Sequence, residues 1–597
     1  MTRMSSAVPA PAEDASPTLP WIFCGLVLPM ILYAARMVGV LVQTEIPFDS
    51  LHTYLPLARQ LLEEGARVFS TADSYKVAPG TVVYMALAGA DPVLIKSANL
   101  AISLAALALA FDAAHRIGGR IAAVAAGWLY ALPHMLVEAG GTLLGESPFI
   151  FLVAVWLWAS SCAAQDWRGP RARLLQAGVV LLAGLALAAA TLTRATYMYW
   201  LPFAALVFLL AAWRMHGGMR GAALRFAAIH LLATALVGTY VLRQNDVFGR
   251  PMVATGSGAA LYFGSNPVLS GYEPPFFGLG HDEVTVLGQQ SHLSMEGDRR
   301  LMAVARTMLQ DLPTTVLLKM YVRKLGAVLF FSRAHLNPHT VMNDRAWRVA
   351  LVVLSALGVW GLRRHPMGWM VGGAAAYQCA VHVPVLYNPR YSISALDILL
   401  VLLAAQGIAW ILRRQRPAAA TACAVVVIAG GIAIGIYHQR HSRPLLPDFS
   451  LIPAVPIARA QAGELRTEGW SGDPFQAEAR MLAGSALLEW NPKKPAPQHW
   501  ITYLHLGMPR FEGRCSRAWL IQSDAGGATR SVSIGLNGLR EGQDINWGIA
   551  QVLLPEDHER KFQLRFECRE GTLMRFDGIG LYQASPGHYY GPRAFPP

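Results

Sequence analysis

The chain has 597 residues, 54% of them hydrophobic and only 15% charged. A soluble globular protein carries about 25% charged residues, so a wholly soluble chain is excluded. The net charge of +13 would suggest nucleic acid in a soluble protein, but no basic patch interleaved with aromatics is present and no nucleic-acid partner is expected.

In chain order, residues 1–19 are rich in Ala, Pro and Ser and lack the basic start of a signal peptide. They read as a disordered cytoplasmic tail, and Pro20–Leu41 as an uncleaved first span. Near-continuous apolar runs recur at Ile121–Leu136, Phe149–Ala164, Leu174–Leu192, Ala222–Leu242 and Ala395–Leu412. Many approach the ~20 residues that cross a hydrocarbon core. The pattern predicts an all-α polytopic membrane domain over residues 20–440, with about eleven transmembrane helices.

Short loops carrying Arg clusters, at Ala114–Arg120, Asp166–Arg173, Arg214–Arg225, Arg363–His365 and Arg413–Arg416, alternate with loops lacking them, at Ala139–Glu146, Thr191–Thr196 and Tyr387–Arg390. The excess of Arg places the first set in the cytoplasm and the second outside. Thr314–Phe331 is apolar but contains Lys319, Arg323 and Lys324, and reads as an amphipathic helix along the interface. Spans eight to eleven are then Trp347–Leu362, Met367–Leu386, Ser392–Leu412 and Ala418–Tyr437. Two long loops, 43–92 and 243–312, and everything after Tyr437 face outward. Leu51–Gly65 in the first loop has helical apolar spacing and reads as a helix on the membrane surface.

From about Pro444 the character changes. Alternating segments at Trp500–Leu506, Ala518–Gln522, Arg530–Leu536, Gly548–Leu554, Phe562–Cys568 and Leu573–Tyr582 are separated by Gly, Asp, Asn and Pro turns. That spacing predicts a soluble β-sandwich over residues 444–597. Cys515 and Cys568 are the one Cys pair outside the spans. An oxidising exterior permits a disulfide between them. No CxxC or Cys/His cluster points to a metal.

Ionisable residues near span ends are costly and are functional candidates. Asp49, Lys76, Glu146, Arg194 and Arg390 all fall on the outer side of this topology. Each alone could be a loop charge or a cap. Together, a carboxylate that deprotonates an acceptor and cations that hold a departing phosphate would suit a lipid-linked phosphosugar. Arg36, inside the first span, either snorkels outward or lines the pocket.

Over Pro20–Gln415 these residues resemble membrane glycosyltransferases of the GT-C fold, in the bacterial branch of protein mannosyltransferases and lipid A aminoarabinose transferases. The family's first outer loop carries an Asp, then a Tyr and a helix. Asp49, Tyr54, Ala58 and Leu61-Leu62-Glu63-Glu64-Gly65 match it, with the Asp-to-Tyr spacing one residue longer than usual. Lys76–Gly80 and Glu146 match its next two elements. In the second loop, Arg243-Gln244-Asn245-Asp246-Val247-Phe248-Gly249-Arg250-Pro251 and Ala260-Leu261-Tyr262-Phe263-Gly264-Ser265-Asn266-Pro267 follow its pattern, and Pro389-Arg390-Tyr391 matches its late Arg-Tyr element. The end of the β-region, Arg575–Tyr582, is similar to the last strand of carbohydrate-binding modules.

The resemblance implies inverting transfer from a polyprenyl-phosphate sugar to a lipid, glycan or protein acceptor. It places the chain in the bacterial inner membrane, with the N-terminus cytoplasmic and the C-terminal domain periplasmic. Asp49 would be the base or acceptor anchor, Glu146 a second catalytic carboxylate, and Lys76, Arg194 and Arg390 the phosphate-binding cations. Tyr54, Arg243, Asn245, Tyr262, Asn266 and Tyr391 would be substrate-loop residues. No cofactor or metal is expected, though a divalent ion is compatible with the wider fold class. The competing readings are a flippase for lipid-linked glycans, disfavoured by the lack of internal repeats, and a non-catalytic glycan-binding membrane protein.

Overall fold

The structure is a computed structural model that describes residues 19–44, 46–47, 49–71, 74–167, 169–265, 287, 291–330, 338–413, 421–422, 425–426, 429–430, 433, 454–460, 464–490, 502–523, 529–535, 545–549 and 561–584. The chain divides into two compact units. One comprises Met1–Ala254, Asn343–Cys379 and Arg390–Ala433; the other comprises Thr255–Met342, Ala380–Pro389 and Ile434–Pro597. The expected N-terminal tail, most of the eleventh span and Asn266 lie outside the described residues.

Seven described helices are long and apolar enough to cross a membrane: Pro20–Val42, Pro92–Ala131, Glu146–Ala163, Ala172–Thr193, Ala195–Arg214, Gly217–Phe248 and Pro389–Arg413. The Arg-bearing connection expected at Ala114–Arg120 falls at a tight break between two helices within the stretch Pro92–Ala131. Gly118 (φ −134°, ψ 17°) and Gly119 (φ 65°, ψ −167°) leave helical geometry there. A positive φ is open to Gly without a Cβ clash. The break frees carbonyls that need partners, and the last described span supplies them: Gln406 donates to the Ala114 carbonyl at 3.2 Å and Arg413 to that of Gly118 at 2.6 Å. Trp347–Gly361 is a shorter apolar helix. The next helix, Pro366–His382, ends four residues before the Leu386 expected from sequence.

Two cations among the spans serve the backbone. Arg36 donates to the carbonyls of Ala131 and Leu132 at 2.7 and 2.6 Å. Lys96 donates to those of Leu41 and Thr44 at 2.7 and 2.9 Å. Each closes the C-terminal end of the helix that carries the other, where orphan carbonyls and the helix dipole favour positive charge. Arg36 is therefore a helix cap, rather than a snorkelling or pocket-lining residue.

In the second unit, Thr314–Phe330 is helical, with Lys319 and Arg323 exposed. Lys324 differs from the interfacial expectation. It lies on the buried stripe with Met320, Ala327 and Val328 and donates to the carbonyls of Gly264 and Val385. A buried ammonium needs such acceptors.

The C-terminal region is antiparallel β. Its strands are β1 (Ala454–Arg459), β2 (Leu465–Glu468), β3 (Ala479–Arg480), β4 (Ser485–Trp490), β5 (Thr502–Gly507), β6 (Arg510–Glu512), β7 (Cys515–Ser523), β8 (Thr529–Gly535), β9 (Ile545–Ile549), β10 (Lys561–Cys568), β11 (Leu573–Arg575) and β12 (Gly578–Ala584). They form sheets ordered β1-β12-β5-β9, β2-β4-β10-β7-β8 and β3-β11-β6. Leu504, Leu506 and Ile579 from the first sheet share one core with Leu488, Trp490, Leu520, Leu564 and Phe566 from the second. This is sandwich packing with inward residues at period two. A disulfide joins Cys515 to Cys568 across the start of β7 and the end of β10.

Candidate active site

Four segments of the first unit bring Asp49, Glu146, Arg194 and Arg390 together. Each residue sits at an element boundary. Glu146 opens the helix Glu146–Ala163, where the positive end of the helix dipole favours a carboxylate. Its side chain is 4% exposed. Arg194 follows the helix Ala172–Thr193 in extended conformation. Its Nη1 donates to Glu146 Oε1 at 3.2 Å and to Ser394 Oγ at 2.5 Å. Arg390 Nε lies 3.9 Å from the same Glu146 oxygen, and its Nη2 lies 3.6 Å from Asp49 Oδ2. The two arginines thus share one buried carboxylate, and Arg390 also faces a second, Asp49, which is 54% exposed.

Tyr391 binds the cations together. Its ring lies 5.0 Å from the Arg194 guanidinium and 5.1 Å from that of Arg390, within cation–π range. Its hydroxyl accepts from Arg390 Nη2 at 3.2 Å. Tyr54 belongs to the same neighbourhood. Burial pushes its phenol up to about 12, and the charges it senses are Glu146, Arg194, Asp49 and Arg390. It stays a neutral hydrogen-bonding group throughout the physiological range.

Close backbone approach holds these parts in register. A Cβ on Gly80 would meet Thr193 Oγ1 at 2.4 Å and the Thr193 backbone at 2.8 Å, and one on Gly145 would meet Thr81 Oγ1 at 2.5 Å. Gly80 therefore seats the helix Pro79–Leu87 beside Thr193, the residue before Arg194. Lys76, partly buried, ends the 3-10 turn Ser74–Lys76 four residues before Gly80. Ser50 is buried and donates to the Leu143 carbonyl, tying the Asp49 loop to the segment before Glu146.

The remaining sequence candidates belong to other elements. Arg243 and Asn245 are exposed on the last turns of Gly217–Phe248. Arg243 reaches toward the first loop, at 3.4 Å from the Ala66 carbonyl and 3.5 Å from Ser70 Oγ. Tyr262 is buried in the helix Ser257–Ser265 of the second unit, against Phe263. Sequence reasoning missed Ser394, which accepts from Arg194 and donates to the Arg390 carbonyl at 2.8 Å. Its position four residues after Arg390 is the signal that could have found it. Among the described residues, no group of three or more His, Cys, Asp or Glu side chains converges on a metal-sized site.

No protein-family model matches this sequence, and no curated protein matches it. Solved structures do. The chain is similar to the oligosaccharyltransferase AglB of Archaeoglobus fulgidus, in complex with an inhibitory peptide and a dolichol-phosphate. Identity is 13% and the TM-score 0.36, over 71% of this chain and 55% of that one. It is similar to ArnT of Cupriavidus metallidurans bound to undecaprenyl phosphate, at 15% identity and TM-score 0.31, over 67% of this chain and 79% of that one. A shorter match, 22% of this chain and 88% of the other, is to the module TmCBM61 in complex with β-1,4-galactotriose, at 16% identity and TM-score 0.14. This chain spans about half the length of the oligosaccharyltransferases it matches.

Proposed function

We propose that this membrane protein is a glycosyltransferase that moves a sugar from a polyprenyl-phosphate donor to an envelope lipid, glycan or protein acceptor, at the periplasmic face of a bacterial inner membrane. The observation that carries the reading is the convergence of Asp49, Glu146, Arg194 and Arg390 from four separate segments. Two carboxylates and two guanidiniums at the ends of spans are costly to gather. Their exposure divides the work between them.

Glu146 is buried and both arginines face its Oε1, so its charge serves to orient the cations. Asp49 stands at the open rim, where an acceptor can reach it and give up its proton. In the proposed step Asp49 takes the proton of the acceptor hydroxyl or amine. The acceptor atom attacks the anomeric carbon from the face opposite the phosphate. The bond from that carbon to the phosphate oxygen breaks, and its electron pair leaves with the polyprenyl phosphate. Arg194 and Arg390, with Lys76, receive the growing charge on the phosphate. Anomeric configuration inverts.

Two measurements test this. Purified protein should bind undecaprenyl phosphate, used as the probe, and lose affinity in Arg390→Ala. Mass spectrometry of envelope lipids, glycans and glycoproteins should show a modification that is absent without the protein, restored by the wild type and not by Asp49→Asn. A fully restored modification with Asp49→Asn would remove Asp49 as the base.

A further inference from the structure

A second ionic contact lies apart from the cluster. Arg348, on the helix Pro338–Gly361, pairs with Asp397; their side chains are 1% and 4% exposed. Removing two charges from water costs several kcal/mol per ion, and such a pair often adds no stability over apolar residues of similar volume. Its position suggests what it does instead. Asp397 is the last residue of a π-helical turn, Ile393–Asp397, set between Pro389–Ser392 and Ile398–Arg413. All five residues of that turn are buried.

π turns occur mostly as single turns within α-helices, often at functional sites. Relaxing one to α geometry shifts the register by one residue, and one residue of an α-helix is a rotation of about 100°. On the N-terminal side of this turn stands Arg390; within it stands Ser394, which holds Arg194 and the Arg390 carbonyl. On its C-terminal side the helix is fixed. A Cβ on Gly358 would meet the Leu403 carbonyl at 1.8 Å, and one on Gly407 the Leu354 carbonyl at 2.1 Å. Ser355 donates to the Leu400 carbonyl at 2.9 Å. Helices packed this closely cannot rotate on each other. Any change of register at the turn must therefore appear at Ser394 and Arg390.

We propose that the Arg348–Asp397 pair is a register lock: it holds the Ile393–Asp397 turn in π geometry and thereby aims Arg390 and Ser394 at Glu146 and Asp49. Both residues act as positioning residues, since they work through Arg390. The proposal rests on the phosphate-binding role given to Arg390 above, so its test carries one readout that does not.

The first readout is binding of undecaprenyl phosphate to the full-length protein in nanodiscs. Arg390→Ala weakens it roughly tenfold, as expected for a lost charge-assisted contact. Arg348→Met/Asp397→Leu removes both charges together and keeps a folded protein. It weakens binding by a similar factor, and adding Arg390→Ala to it costs little more. Where Arg390→Ala does weaken binding, wild-type affinity in the folded Met/Leu variant, or losses that simply multiply, overturn the lock. The second readout uses Asp49→Cys/Arg390→Cys in protein whose Cys24, Cys162, Cys379 and Cys423 are replaced by Ser. A short bifunctional thiol reagent bridges the two cysteines, and Arg348→Met/Asp397→Leu slows the bridging several-fold. An unchanged rate overturns the lock whatever the ligand. If Arg390→Ala leaves probe binding intact while bridging slows, the lock stands and the phosphate reading fails.

Discussion

Arg36 and Lys96 on one hand, and Arg194 and Arg390 on the other, are cations at helix ends in the same helical unit, and they hold different kinds of partner. Arg36 and Lys96 donate to backbone carbonyls at the ends of their neighbours' helices. Those acceptors belong to the fold and cannot leave. Arg194 and Arg390 face carboxylates and a tyrosine ring. Such partners can be exchanged for a phosphate at modest cost, because each charge-assisted bond broken is replaced by another of the same kind. On the proposed reading, what separates a structural cation from a binding one is the acceptor it holds, which neither its type nor its depth in the chain reveals.

The largest effect should come from the carboxylate opposite Arg390. Asp49→Asn should lower transfer by 10²–10⁴-fold, the range for loss of a positioned base, while undecaprenyl phosphate binding stays close to wild type. Single-turnover assays and equilibrium binding on the same preparation separate the two. Next, Arg390→Ala should weaken probe binding roughly tenfold with little change in thermal stability. Arg36→Met should do the reverse. It leaves the Ala131 and Leu132 carbonyls without their donor and should cost about 1–3 kcal/mol of stability, read by thermal unfolding, with probe affinity unchanged. If Arg36→Met instead loses affinity, the division between the two kinds of cation fails.

The smallest effect concerns Lys324, whose amino group is likewise spent on carbonyls. Burial holds its ammonium well below the ordinary 10.5. Between those two values the unfolded chain binds a proton that the folded chain lacks, so stability should rise with pH over that window and level off above 10.5. Hydrogen exchange along Thr314–Phe330 at neutral and alkaline pH, corrected for intrinsic rates, should show this slope in the wild type. The slope should vanish in Lys324→Met.

Much of the site could be read from the sequence because it follows from alternation. Once Arg-bearing loops are placed on one side, Asp49, Glu146, Arg194 and Arg390 fall on the other, and the structure gathers all four. The strands were visible for a similar reason, since period-two patterning at β7 and β10 survives without knowledge of their neighbours. What escaped depends on distant pairing. The caps made by Arg36 join residues 95 and 96 positions apart, and Ser394 meets Arg194 across 200. Gly80 looks like an ordinary loop glycine until Thr193 is placed against it. The π turns that follow Asp49 and Arg390 have no compositional mark, because one extra residue in a helical turn leaves the apolar pattern nearly unchanged.

Arg390 reaches Glu146 with one edge and Asp49 with another, and that has a bearing on the order of events. With no donor present, the exposed carboxylate is engaged by the guanidinium. On the proposed reading, an arriving phosphate competes for Arg390 with Asp49, the exposed partner, and spares the buried Glu146. Donor binding would then release the base it needs. The kinetic signature is a compulsory sequence, donor first and acceptor second, in which an acceptor arriving early finds nothing to take its proton.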